Sequence, residues 1–267
     1  MSKRLSLCLL SAVFLISNAT AQIKLTQDTI QAPYIGFTFG TVFASDNLST
    51  DNGIHDLYKN PFLNFGLESG YKFKTNWLVG IDGQLTFGTD VRDKEKRFPA
   101  AFSHDHTPFV IGSNGTNAEA SVYNRALSLR VGGGKLVVLD NNNPNSGLAL
   151  RLYCGYMQQK TIFMMYKETA PQLEGDYARL YDHKRRGFML TESIGYWFMS
   201  NHNNFINLHL SFEVTQYWNT SARDYVIDEV MGLHGPDNTR YFDLLYTIKV
   251  CWLFPLKGKT AYDYYFF

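Results

Sequence analysis

The feature that most constrains this chain is an alternation of apolar and polar side chains with a period of two, sustained over segments of about ten residues. Successive side chains of a β-strand point to opposite faces, so each such segment carries one greasy face and one polar face. In residues 62–73 the odd positions give Leu63, Phe65, Leu67, Ser69, Tyr71 and Phe73, and the even positions Asn64, Gly66, Glu68, Gly70 and Lys72. Residues 77–87 set Trp77, Val79, Ile81, Leu85 and Phe87 against Gly80, Asp82, Gln84 and Thr86. Residues 206–214 alternate Ile206, Leu208, Leu210, Phe212 and Val214 with Asn207, His209, Ser211 and Glu213. Residues 242–254 carry Phe242, Leu244, Tyr246, Ile248, Val250, Trp252 and Phe254 against Asp243, Thr247, Lys249 and Cys251. Weaker versions fall at 34–44, 126–138 and 148–156. Residues 188–198 match least, because Glu192 shares parity with Leu190 and Ile194. A bulge or shifted register there is expected to repair the pattern. Eight strands result.

The connections alternate in length. Residues 74–76, 139–146 and 200–204 are short and rich in Asn, as turns are. Residues 45–60, 90–122, 158–186 and 219–240 are long and polar. Short turns at one end and long loops at the other are the arrangement of an outer-membrane barrel. A soluble barrel with an apolar cavity is the competing fold, and three features weigh against it. Each strand reaches the length a tilted membrane strand needs. The polar face carries Glu68, Lys72, Asp82, Arg130, Arg151, His209, Glu213, Asp243 and Lys249. Aromatic residues also crowd the strand ends, at Phe62, Tyr71, Phe73, Trp77, Phe87, Phe205, Tyr217, Trp218, Tyr241, Trp252 and Phe254, as in an interfacial girdle. The expected fold is therefore all-β: an eight-stranded antiparallel transmembrane β-barrel with short periplasmic turns and long extracellular loops.

The first stretch reads as an export address. Lys3 and Arg4 precede an apolar run from Leu5 to Ile16, too short to span a bilayer, and Asn18-Ala19-Thr20-Ala21 offers a small-x-small cleavage pattern. This divides the chain into a signal peptide (1–21), an N-terminal periplasmic segment (22–31), the barrel (32–255) and an aromatic tail (256–267). Without Lys3 and Arg4, 23 basic residues face 24 acidic ones, and that balance excludes a general nucleic-acid binder. Disorder is excluded by 20 Phe and 17 Tyr, whose side chains would not stay solvated.

An eight-stranded barrel is just wide enough for side chains to fill it. Its lumenal charges must be paired, because an isolated buried charge is very costly. Four acids and four bases, with His209, fit a closed network, and Gly36, Gly40, Gly66, Gly70 and Gly80 leave room for it. The lumen reads as a plug, with a narrow channel as the lesser alternative.

The Gly-alternating strands Ile35-Gly36-Phe37-Thr38-Phe39-Gly40 and Asn64-Phe65-Gly66-Leu67-Glu68-Ser69-Gly70-Tyr71, the signal peptide, and the tail Tyr262-Asp263-Tyr264-Tyr265-Phe266-Phe267 resemble the small outer-membrane β-barrel proteins of Bacteroidota, the group that includes PorT-like accessory proteins of type IX secretion. The resemblance implies an outer-membrane protein of a Gram-negative cell, put in place by the barrel insertion machinery and serving as an accessory subunit in secretion or assembly. Its partners would be outer-membrane lipid, lipopolysaccharide and other envelope proteins.

Three constellations carry possible chemistry. His209 and Ser211, with Glu213 two residues further on, match the His-x-Ser pair that lipid A deacylases use for acyl transfer. Parity, however, places them on the polar lumenal face, where a structural role is expected. His104-Asp105-His106 lies in the longest loop and has metal-ligand chemistry but lacks a further ligand, so a solvated loop is the better reading. Lys184, Arg185 and Arg186 stand just before the sixth strand, where lipopolysaccharide phosphates would favour arginines, although a plain solvated charge run is the better reading. Cys154 and Cys251 fall on opposite parities, which disfavours a disulfide. No metal, cofactor or catalytic residue is expected. The leading expectation is a non-enzymatic structural or interaction protein.

Overall fold

The computed structural model of the chain describes residues 29, 31–45, 49, 53, 54, 58, 61–91, 109–140, 143–166, 168–199, 207–228 and 232–256. The expected signal peptide, residues 257–267 of the tail, the turn at 200–204, Phe205 and His104-Asp105-His106 lie outside them. Among the described residues there are eleven strands: β1 (Ala32–Ala44), β2 (Phe62–Lys72), β3 (Trp77–Asp90), β4 (Phe109–Ile111), β5 (Asn117–Val138), β6 (Gly147–Tyr166), β7 (Arg185–Met199), β8 (Asn207–Ser221), β9 (Val226–Asp228), β10 (Gly232–His234) and β11 (Arg240–Pro255). Two 3-10 turns, η1 (Pro171–Leu173) and η2 (Tyr177–Leu180), lie between β6 and β7.

Eight of these strands close on themselves in the antiparallel order β1-β2-β3-β5-β6-β7-β8-β11, with β11 returning to β1. β4 pairs with the end of β5, and β9 with β10 forms a separate hairpin. Their register fixes the shape of the barrel. From Lys135 the pairing passes through Leu150, Ile194, Phe212, Ile248, Thr41, Leu63 and Phe87, and returns to β5 at Arg125, ten residues away. Ten residues of rise against eight strand spacings tilt the strands by about 40° from the barrel axis. Each residue then climbs about 2.5 Å along the axis, and each step to the next paired strand about 3 Å.

Outward positions are predominantly apolar, with Glu192 and Ser69 among the exceptions, over a band of about 25 Å on this geometry, from Phe87, Phe188 and Trp218 down to Trp77, Phe198 and Phe254. Phe37, Phe39, Leu67, Leu129, Val131 and Leu210 are among the exposed apolar side chains within it. In water such a band would be an extreme apolar patch; in lipid it is the expected surface.

Three expectations are corrected. β5 and β6 run beyond the predicted 126–138 and 148–156, and they take in residues 117–122 and 158–166 of what was read as loop. β7 contains no bulge, because its register with β6 and β8 is unbroken from Arg185 to Met199 for β8 and from Arg185 to Trp197 for β6. Glu192 therefore stays on the outer face, accepting a 3.4 Å hydrogen bond from Gln216 Nε2. Phe62 and Tyr217, assigned to the girdle, are buried inside, and Tyr241 lies under the Arg185 guanidinium. Their parity is lumenal, and position at a strand end alone does not turn a ring outward.

Candidate functional site

Two apolar clusters fill the barrel above and below a belt of charge. Towards the short turns lie Tyr34, Leu78, Leu136, Ala149, Trp197, Met199, Cys251 and Leu253. Towards the long loops lie Val42, Ile54, Tyr58, Phe62, Val122, Met157, Met189, Tyr217 and Leu245, among others, joined by Val91, Ala170, Leu173 and Tyr181 from the connections.

Between them stand three acids and three bases, all buried. Arg130, from β5, reaches Asp82 Oδ2 at 2.8 Å and Glu213 Oε2 at 2.7 Å through the same guanidinium nitrogen. Arg151, from β6, meets Glu68 Oε1 at 2.5 Å. Lys249, from β11, lies 2.7 Å from Glu213, 3.1 Å from Asp82 and 3.7 Å from Glu68. The Tyr34 hydroxyl donates to Glu68 at 3.0 Å and accepts from Arg151 at 2.9 Å. Gln84 donates to Asp82, and Asn64 donates to Gln84. The ring of Tyr153 serves all three cations, with Arg130 at 4.6 Å, Arg151 at 4.9 Å and Lys249 at 5.6 Å from its centroid. Equal numbers of each sign, multiply bonded, are what makes burial of six charges tolerable. The cavity beside Arg130, lined by Asn64, Gln84, Asn124, Ser128 and Thr215, has a volume of about 30 Å³, room for one or two waters.

The glycines act here by what they leave out. A Cβ on Gly70 would sit 2.6 Å from the Tyr34 hydroxyl and 2.4 Å from the Val79 carbonyl oxygen. The close approach of Tyr34 to Glu68 depends on that missing atom.

Not every expected member joins this cluster. Lys72 lies nearer the short-turn end and donates to Asn145 Oδ1 at 3.1 Å. Asp243 sits near the long loops, where it accepts from the Ile54 backbone N–H at 2.7 Å and from Asn219 at 2.8 Å. It ties the first long connection to the barrel. Parity placed both residues on the right face but carried no information about height. The aromatic members Tyr34 and Tyr153 were missed because a phenol on a polar face is not counted as a charge.

His209 is fully buried, packed on Trp197 at 5.4 Å, and neither ring nitrogen has a hydrogen-bond partner. The Ser211 hydroxyl is likewise unpartnered, so no hydrogen bond links the two. Glu213, the third member of that motif, is held by Arg130 and Lys249. Of the basic triplet, Arg186 is exposed on the outer face and Lys184 is half-buried. Arg185 is buried with its guanidinium 3.7 Å from the centroid of the Tyr241 ring, which removes it as a lipopolysaccharide contact. The cause is again parity: consecutive residues of one strand cannot share a face. Cys154 is exposed and Cys251 buried, and both are free thiols.

No family model and no curated protein matches the chain. Among solved structures it is similar to Ail, the attachment invasion locus protein of Yersinia pestis, at 13% identity, covering 84% of this chain and 97% of that one with a TM-score of 0.34. Neisserial surface protein A aligns at 10% identity over 83% and 98% of the two chains, TM-score 0.32. The outer membrane protein AlkL aligns at 13% over 91% and 100%, TM-score 0.34. The barrel closure itself rests on the register of this chain's own strands.

Proposed function

We propose that this chain is a non-enzymatic outer-membrane barrel with a sealed lumen, a structural or interaction component of a Gram-negative envelope. In this reading the signal peptide is cleaved on export, the short turns face the periplasm and the long connections face outward. The finer role is that of an accessory subunit in a protein secretion or assembly complex, of the type IX kind. One observation carries the reading: a closed ring whose outer wall is greasy while its interior holds three ion-paired acids and bases between two apolar clusters. A conduit would not close its narrowest level with mutually neutralising groups, whereas a scaffold gains rigidity from them.

Planar-bilayer recording on the refolded protein tests the seal, with no discrete currents expected. Pull-down from detergent-solubilised outer membrane tests the role. A stoichiometric envelope partner is expected, and recovery of the bait alone would remove the accessory-subunit reading.

A further inference from the structure

On β5, β6 and β7 the outward side chains change character at one level. Below it stand Leu127, Leu129, Tyr156 and Phe188; at it stand Arg125, Lys160 and Arg186, with Gln158 between them. The strand tilt places the Cα atoms of the three cations within about 3 Å of a single plane, just above the apolar band. At the corresponding height the outward residues of the other strands include Trp218 and Phe242, whose rings pack at a tilt with centroids 5.5 Å apart. The basic residues thus form an arc rather than a ring.

None of the three cations makes a salt bridge with a described residue. Arg125 and Lys160 are direct cross-strand partners, and Gln158 pairs with Arg186. Like charges facing each other across a ladder are destabilising unless something neutralises them. The outward positions Tyr123, Leu127, Phe87, Ile162, Tyr156, Thr220 and Trp218, paired with or diagonal to them, are uncharged, and a single acid, Asp90, stands opposite Tyr123 across the β3 irregularity, against three cations. Arg125 is already oriented: its guanidinium donates to the Asn124 carbonyl at 3.0 Å and the Gly88 carbonyl at 3.4 Å, and lies over Phe87 at 4.9 Å and Tyr123 at 5.4 Å. Lys160 and Arg186 are exposed beside it.

We propose that Arg125, Lys160 and Arg186 form a binding site for the phosphate of a phosphorylated glycolipid in the outer leaflet, whose acyl chains lie on Leu127, Tyr156 and Phe188. The site rests on the membrane reading above and is built from the exposed Arg186 and two residues outside the basic triplet. Guanidinium and ammonium groups at the bilayer rim supply charge-assisted hydrogen bonds to phosphate oxygens, and the greasy strip directly beneath selects a lipid over a soluble anion.

The test is a thermal-unfolding titration of the full mature barrel in detergent, with diphosphorylated lipid A, the same lipid dephosphorylated, and inorganic phosphate as separate probes. Diphosphorylated lipid A should raise the unfolding midpoint most, and the Lys160→Ala/Arg186→Ala double variant should weaken its apparent affinity about tenfold or more. Arg240→Ala, exposed on β11 two strands beyond the arc, should leave the affinity unchanged. Equal stabilisation by the dephosphorylated lipid, an unaffected double variant, or the same shift with inorganic phosphate alone would each overturn the site. Heat-modifiable gel mobility of the variants reads barrel formation separately. A failed lipid site with a compact barrel leaves the membrane reading standing, while a chain that forms no barrel in detergent sinks that reading first.

Discussion

Lys249 is the residue on which the interior depends most, since one ammonium lies within 4 Å of Glu68, Asp82 and Glu213. Lys249→Met keeps much of the volume but strands three carboxylates with too little positive charge. Loss of one partner from a buried ionic group costs about 3–5 kcal/mol, and urea unfolding in detergent should show it. Gly70→Ala makes a different test, of space rather than charge. Its methyl group collides with Tyr34 and with the β3 backbone, and a loss of about 1–3 kcal/mol is expected. Glu192 tests the outer wall. It faces outward about midway down the apolar band, where Glu192→Lys should destabilise by about 2–4 kcal/mol. Glu119→Lys, on the outer face of β5 above the band, should change stability by less than about 0.5 kcal/mol.

At the scale of the element, β5 shows how one unbroken strand serves two environments. Its even residues face inward throughout, from Ala118, Ala120 and Val122 to Ser128 and Arg130. The odd residues face outward throughout, from Glu119, Ser121 and Tyr123 to Leu127, Leu129 and Val131. The polarity of the alternation inverts near Arg125, although the register with β6 continues without a shift from Glu119 to Val138. Above that point water bathes the outer wall and the loops fill the interior; below it lipid covers the wall and charge fills the interior. Single cysteines in a background without Cys154 should report this boundary. Positions 119 and 121 should react with a membrane-impermeant maleimide in intact cells, and positions 127, 129 and 131 should not. The connection before β11 carries a pH-sensitive anchor. Partial burial pushes the Asp237 carboxyl up, but hydrogen bonds from the Thr239 N–H and hydroxyl and from Tyr241 outweigh it and hold the group below its usual range. A carboxylate with a depressed pKa stabilises fully above its ordinary value of 3.8 and loses that contribution as the pH falls through the lower folded value. The Thr239 amide resonance should therefore move below about pH 4, and Asp237→Asn should abolish the movement.

For the whole molecule, the ten-residue offset on passing once round the ring joins the local pattern to the global shape. It sets the tilt, and the tilt makes strands of ten or more residues match a hydrocarbon layer. It also decides which side chains share a level. Arg125, Lys160 and Arg186 are distant in sequence and sit on one contour only because the strands climb as they circle. The same arithmetic separates Lys72 and Asp243 from the six central charges. The interior is then layered, apolar, ionic and apolar, with the open ends of the long β5–β6 hairpin standing above the membrane band.

Alternation determined the eight strands of the ring and the lumenal face of Glu68, Lys72, Asp82, Arg130, Arg151, His209, Glu213, Asp243 and Lys249, because a period of two is a property of the extended backbone itself. It also placed Cys154 and Cys251 on opposite sides of the wall, as the burial of one and exposure of the other show. Strand length escaped it at β5 and β6: on β5 the apolar parity reverses above Arg125, and on β6 the polar run Gln158-Gln159-Lys160 interrupts the alternation, so that each strand reads as ended there. Glu192 misled it towards a bulge, because a carboxylate on a greasy face looks like a slipped register until the ladder on both sides is seen to be continuous. Only the closed ring decided which acid meets which base. Those distances depend on height and circumference together, and neither is written in the spacing of residues along one strand.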